Sequence, residues 1–155
     1  MTTHKDAHND MASGSSRRLL LALTGGLLAL LVLNLTVFDD LRIDSSAGLV
    51  ETFTKPQHLS SLVAVLIAVV LLAFGRRSAA RVTAVVAWIE IAAFTFFHLV
   101  PVEVGPSKPY WGEGMGDTLQ WVGVVSILAV SAAIVAAVHR TPKPSVSTVA
   151  ASVPA

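Results

Sequence analysis

WIEIAAFTFFHLVP, running from Trp88 to Pro101, is the stretch whose reading decides the fold. It closes an apolar run that begins after Arg81, and from Val82 to Val100 the only acid or strong base is Glu90, with His98 near the far end. At 1.5 Å per residue such a run crosses a hydrocarbon core about 30 Å thick, so residues 80–100 are expected to form a transmembrane helix that Pro101 stops. A carboxylate at that depth costs on the order of 2.5–3.5 kcal/mol even on the gentler insertion scales. Glu90 is therefore expected to face other helices and not lipid. No Lys or Arg lies within any apolar span to pair with it.

Outward from this stretch the same logic repeats. Gly75-Arg76-Arg77-Ser78 is a tight basic turn, and so short a connection makes the helices on either side of it adjacent and antiparallel. The helix before it is expected over 57–74, opened by Thr54-Lys-Pro-Gln57, a capping-box pattern with proline in the first turn. A loop over 39–56 separates it from about twenty largely apolar residues, 19–38, that follow Arg17-Arg18 and form the first span. Ser16-Arg17-Arg18 before leucines resembles an export signal superficially, but the span is long for one, no small-residue cleavage site closes it, and three spans follow. Downstream, 101–116 holds three prolines and four glycines and is expected to be irregular, with Tyr110 and Trp111 suited to a headgroup layer. Asp117 with Gln120 three residues on looks like an N-cap pair for a fourth helix over 118–138. On that helix Ala129, Ala133 and Ala137 recur every fourth position, which would let a neighbour approach closely.

The expected fold is thus an all-α membrane protein: an antiparallel bundle of four transmembrane helices with short loops, spanning 17–139 between disordered tails at 1–16 and 140–155. Composition agrees. Of the 155 residues 54% are hydrophobic and 14% charged, with mean hydropathy +0.69, whereas soluble domains run about 45–50% apolar and about 25% charged. There is no cysteine, which removes disulfides, thiolate metal sites and cysteine nucleophiles. Glycine-rich phosphate loops, zinc-protease motifs and nucleophile elbows are missing too. The basic residues flank spans and make no face for nucleic acid. A histidine third in the chain if Met1 is removed, as in Thr2-Thr3-His4, is an arrangement able to hold Cu(II) or Ni(II), though tails acquire histidines by chance.

The net charge of +1 conceals an asymmetry. The N-terminal tail with Arg17 and Arg18, the middle turn with Arg81, and the C-terminal tail together carry eight basic and two acidic residues; the two long loops with Asp117 carry three basic and seven acidic. By the positive-inside rule both termini are expected in the cytoplasm, in a multi-pass protein of the cell membrane.

Depth arithmetic then gathers the polar residues of the spans. His58 lies sixteen residues before Phe74 and His98 sixteen after Val82, so each stands about 24 Å from the cytoplasmic turn. Asn34 reaches a similar height, and the fourth helix begins there with Gln120 and Trp121. His58, His98, Asn34, Gln120 and Trp121 are therefore candidate cofactor-binding residues, roofed by 101–116, with His58 and His98 as candidate metal ligands. Two level histidines on adjacent helices are what an axial pair for a b-type haem needs. Glu90 and His98, eight residues apart on neighbouring faces, are the candidate acid–base couple. Each has a plainer reading: Glu90 as interhelical packing device, the histidines as interfacial rings, Asn34 as glue between helices.

Three functional classes follow. The first is a non-catalytic accessory or scaffold subunit of a membrane complex, whose partners are the bilayer and other membrane subunits. The second is a binding module with an outward-facing polar pocket for haem, metal, quinone or lipid. The third is an intramembrane enzyme acting on a lipid through Glu90 and His98. The first is the leading expectation from sequence.

Overall fold

The computed structural model describes residues 4–38, 55–100 and 118–140, and every element among them is helical. Helix α1 (His4–Leu33) runs directly into a π-helical turn, Asn34–Phe38. Helix α2 is Pro56–Ala73, and α3 (Ala79–Phe94) likewise ends in a π-helical turn, Thr95–Leu99. Helix α4 is Thr118–Arg140. Four stretches are long and apolar enough to cross a bilayer: Gly14–Thr36, Pro56–Ala73, Ala79–Leu99 and Gln120–Arg140.

These bounds fall within two residues of the expected ones except at the start of α1, which opens at His4 where sequence puts a tail as far as residue 16. No proline interrupts residues 4–18, and Lys, Ala, Met and Arg among them extend a helix readily. Such polar residues leave no apolar periodicity to read. At α2 the residue before the helix is Lys55, with no side-chain cap, and Pro56 occupies the first turn. Thr54, Asp117, Tyr110, Trp111 and the loops and C-terminal tail around them lie outside the described residues.

The core comes from one stripe on each helix. On α1 and its π turn the buried residues include Leu20, Thr24, Leu27, Leu31 and Asn34, with Leu35 beside them; on α3, Ala79, Thr83, Val86 and Glu90, with Ala87; on α4, Val124, Ile127, Ser131 and Ile134, with Val135; on α2, Val65, Ala68 and Leu72. Alternating steps of three and four residues are the seam of helices packed knobs into holes at shallow angles. Each helix packs against two neighbours in the cyclic order α1, α2, α3, α4, which makes a four-helix bundle. Ala129 and Ala133 are not part of the α4 seam: both are exposed, and Ala137 is half-buried. Their four-residue spacing is a small-residue pattern on the wrong side of the helix, because Ile127 and Ile134 supply more apolar area to the core.

One end of the bundle is closed by the link between α2 and α3. Gly75 takes φ 64°, a left-handed conformation. The Arg76 amide donates to the Leu71 carbonyl (3.0 Å) and the Gly75 amide to that of Leu72 (3.1 Å), the paired bonds of a Schellman cap. Arg17 of α1 completes it, donating from Nε to the Leu72 carbonyl at 2.8 Å and from Nη2 to the Ala73 carbonyl. A cation on the negative end of a helix dipole is well placed. The start of the first apolar stretch is thereby tied to the end of the second.

Candidate functional site

At the end of the bundle remote from Gly75, α1, α2 and α3 enclose a cavity of about 140 Å³. Leu31, Asn34 and Leu35 line it from α1 and its π turn, Lys55, Gln57, His58, Ser61 and Leu62 from the start of α2, and Glu90, Ala93, Phe94, Phe97 and His98 from α3. Polar groups from three helices converge on it, between walls of leucine and phenylalanine.

Glu90 forms the deepest polar group. It is only 1% exposed, and its Oε1 accepts a hydrogen bond of 2.6 Å from the Ser61 hydroxyl. This bond staples α2 to α3 across the seam. Asn34, 4% exposed, sits at the first residue of the π turn on α1, and its Oδ1 has no hydrogen-bond partner among the described residues. A buried acceptor left unmet costs about 1–3 kcal/mol, so this oxygen is fit to meet a donor that enters the cavity.

The histidines take their places from opposite kinds of backbone. His58 lies in the first turn of α2, half-buried at the cavity's edge. His98 lies inside the π turn of α3, its ring tilted at 39° to that of Phe94 with centroids 5.3 Å apart. The defining bond of that turn runs from the Val100 amide to the Thr95 carbonyl, five residues apart. Wider turns advance less per residue, so His98 swings toward the side of Glu90 and not away onto a neighbouring face, as ideal α geometry would have it.

Of the residues singled out from sequence, the structure brings Asn34, His58, Glu90 and His98 to one cavity, while Gln120 and Trp121 are not among its lining residues. The reason is lateral. α4 packs on α1 and α3 and not on α2, so its opening turn is on the far side from His58. Among the described residues no group of three or more His, Asp or Glu is close enough together to hold a metal ion. Ser61 was missed by the sequence reading, although the same depth arithmetic reaches it: it lies fourteen residues before Gly75 (75 − 61) and Glu90 lies fifteen after (90 − 75).

Compared with protein-family profiles, curated proteins and solved structures, the chain matches none.

Proposed function

We propose that this is a multi-pass membrane protein whose four helices span the bilayer as an antiparallel bundle, with both termini cytoplasmic, and that its outer half is a binding module for a single-ring, quinone-type headgroup. The observation that carries the binding reading is Asn34: an amide oxygen buried without a partner among the described residues, on the wall of a cavity that also holds Glu90, Ser61 and two imidazoles. A hydroquinone ring offers hydroxyl donors to Asn34 and to the imidazoles from opposite edges, and its faces suit Phe94, Phe97 and the leucines. Size points the same way. A cavity of about 140 Å³ is close to the roughly 150 Å³ that accommodates a benzene ring.

The antiparallel arrangement is supported by the five-residue link at Phe74–Ser78 and by the bonds from Arg17 to the end of α2. The orientation is supported by the charge asymmetry of the chain. An accessory subunit would account for four spans and little else, but it gives no reason for a polar cavity; a stoichiometric partner in native copurification would bring that reading forward. An acid–base enzyme acting on a lipid would have Glu90, His98 and the Ser61 hydroxyl in one cavity; turnover of a lipid ester by the purified protein would bring that reading forward.

Calorimetric titration of the protein in nanodiscs with a short-chain quinol tests the proposal. Binding is expected, and Asn34→Leu is expected to weaken it about tenfold, the equivalent of one hydrogen bond. Absence of binding, or binding indifferent to Asn34→Leu, would overturn it.

A further inference from the structure

Two buried hydroxyls have no role in the cavity. Thr83 (1% exposed) and Ser131 (0%) stand in the seams of α3 and α4, and neither Oγ has a hydrogen-bond partner among the described residues. The usual recourse of such a hydroxyl is the carbonyl one turn back, and Thr24 takes it, bonding to the Leu20 carbonyl at 2.6 Å. Thr83 and Ser131 do not. Unsatisfied buried polar groups in a packed interior are the places where internal water is held.

Their heights form a series. The helices share a baseline at the Gly75 end, because Arg17 is bonded to the last carbonyls of α2, and Arg140 of α4 shares a surface cleft with Ser16 and Leu19. From there, at 1.5 Å per residue, Thr83 stands about 6 Å up α3 (83 − 79), Thr24 about 10.5 Å up α1 (24 − 17), Ser131 about 13.5 Å up α4 (140 − 131) and Glu90 about 16.5 Å up α3 (90 − 79). The ruler checks itself: Ser61 comes out at about 18 Å (73 − 61), level with the Glu90 it bonds to. Successive rungs are about 3–4.5 Å apart along the axis; they stand on different helices, so the lateral gap between them adds to that spacing and falls to bridging water. All four side chains face the interior, and the last of them lines the cavity at the other end.

We propose that Thr83, Thr24 and Ser131 form a water-linked hydroxyl relay between the cytoplasmic end of the bundle and Glu90, and that through the outer cavity the protein conducts protons across the bilayer. Hydroxyls suit this because each can accept one proton while donating another, Thr24 by turning its O–H away from the Leu20 carbonyl. One proton enters at one end for each that leaves at the other, no bond between heavy atoms changes, and no oxidant or reductant is needed. Sodium or potassium cannot follow. At the same heights Leu27, Val86 and Ile134 fill the seams, so a metal cation would lose its hydration shell with nothing to replace it.

The relay rests on the four-span reading but on no ligand, so the test separates the two. Protein is reconstituted into liposomes enclosing a pH-sensitive dye, and a potassium diffusion potential drives uptake. Flotation with the vesicles after alkaline washing reports insertion; dye response reports proton flux. Wild-type protein is expected to carry flux above protein-free vesicles, Thr83→Val with Ser131→Ala to lose it, Thr83→Ser to retain it, and Glu90→Gln to lose it. The single changes Thr83→Val and Ser131→Ala, which alter the hydroxyls with little change of shape, test each rung if the double variant inserts poorly. Inserted wild-type protein without flux, or flux that survives removal of either hydroxyl, overturns the relay whether or not the cavity binds a quinol.

Discussion

Glu90 occupies a position in the α3 seam that an apolar residue would ordinarily fill, and its carboxyl keeps that place by bonding to Ser61. Substitutions there should separate shape from charge. Glu90→Gln preserves the outline and can still accept from Ser61, so it is expected to fold as wild type. Glu90→Lys puts an uncompensated cation in the same space, and a cost of about 3–5 kcal/mol, a large part of a typical total of about 5–15, should appear as loss of monodisperse protein on size exclusion. Ser61→Ala leaves the carboxyl without its donor and is expected to cost about 1–3 kcal/mol, read as a lower melting temperature in detergent. If Glu90→Lys were as well folded as Glu90→Gln, the side chain would have to reach water. How far these residues can be read without coordinates depends on direction. Height along a helix needs only counting, which is why Asn34, His58 and His98 come out together. Azimuth needs the local turn, and the π turn at Thr95–Leu99 has no sequence signature that distinguishes it from the α-helix it continues.

At the scale of elements, the link between α2 and α3 has two supports that act on the same few atoms. A Cβ on Gly75 would adopt φ 64° and come within 3.1 Å of Arg17 Nη1. Gly75→Ala is expected to destabilise by about 1–2 kcal/mol from the left-handed backbone alone, with more from displacing the guanidinium. Arg17→Met should cost about 1 kcal/mol through the lost bonds to the Leu72 and Ala73 carbonyls. The two should not add: in the Arg17→Met background Gly75→Ala should cost less, and a double-mutant cycle on thermal unfolding measures the difference. Additive losses would mean that Arg17 leaves the turn in solution. Sequence marks this turn as tight and basic. That Arg17, fifty-five positions before Leu72, supplies one of its caps is a tertiary fact that no local pattern carries. The alanines of α4 mislead for a related reason: spacing shows which residues share a face, not which face is turned inward.

For the whole molecule, the proposed orientation is open to a clean test because the chain has no cysteine. Single cysteines at Ser46 and Ser107, in the two long loops, should react with a membrane-impermeant reagent only from outside the cell, and one at Ser78 only after the membrane is opened. Reversal of either pattern would overturn the orientation. The fold class was legible because length and hydropathy dominate everything else in these spans. The polar residues of the seams were less so, since Thr83 and Ser131 look in sequence like the small residues any such helix carries. Arg17, finally, bears on how the molecule comes to be made. In the proposed orientation, as the nascent first span leaves the ribosome, that guanidinium favours keeping its end on the side where synthesis occurs. Its acceptors do not yet exist. Once the Leu72 and Ala73 carbonyls emerge, the same group can bond to them, so in that orientation a charge that first biases a direction afterwards helps to hold it.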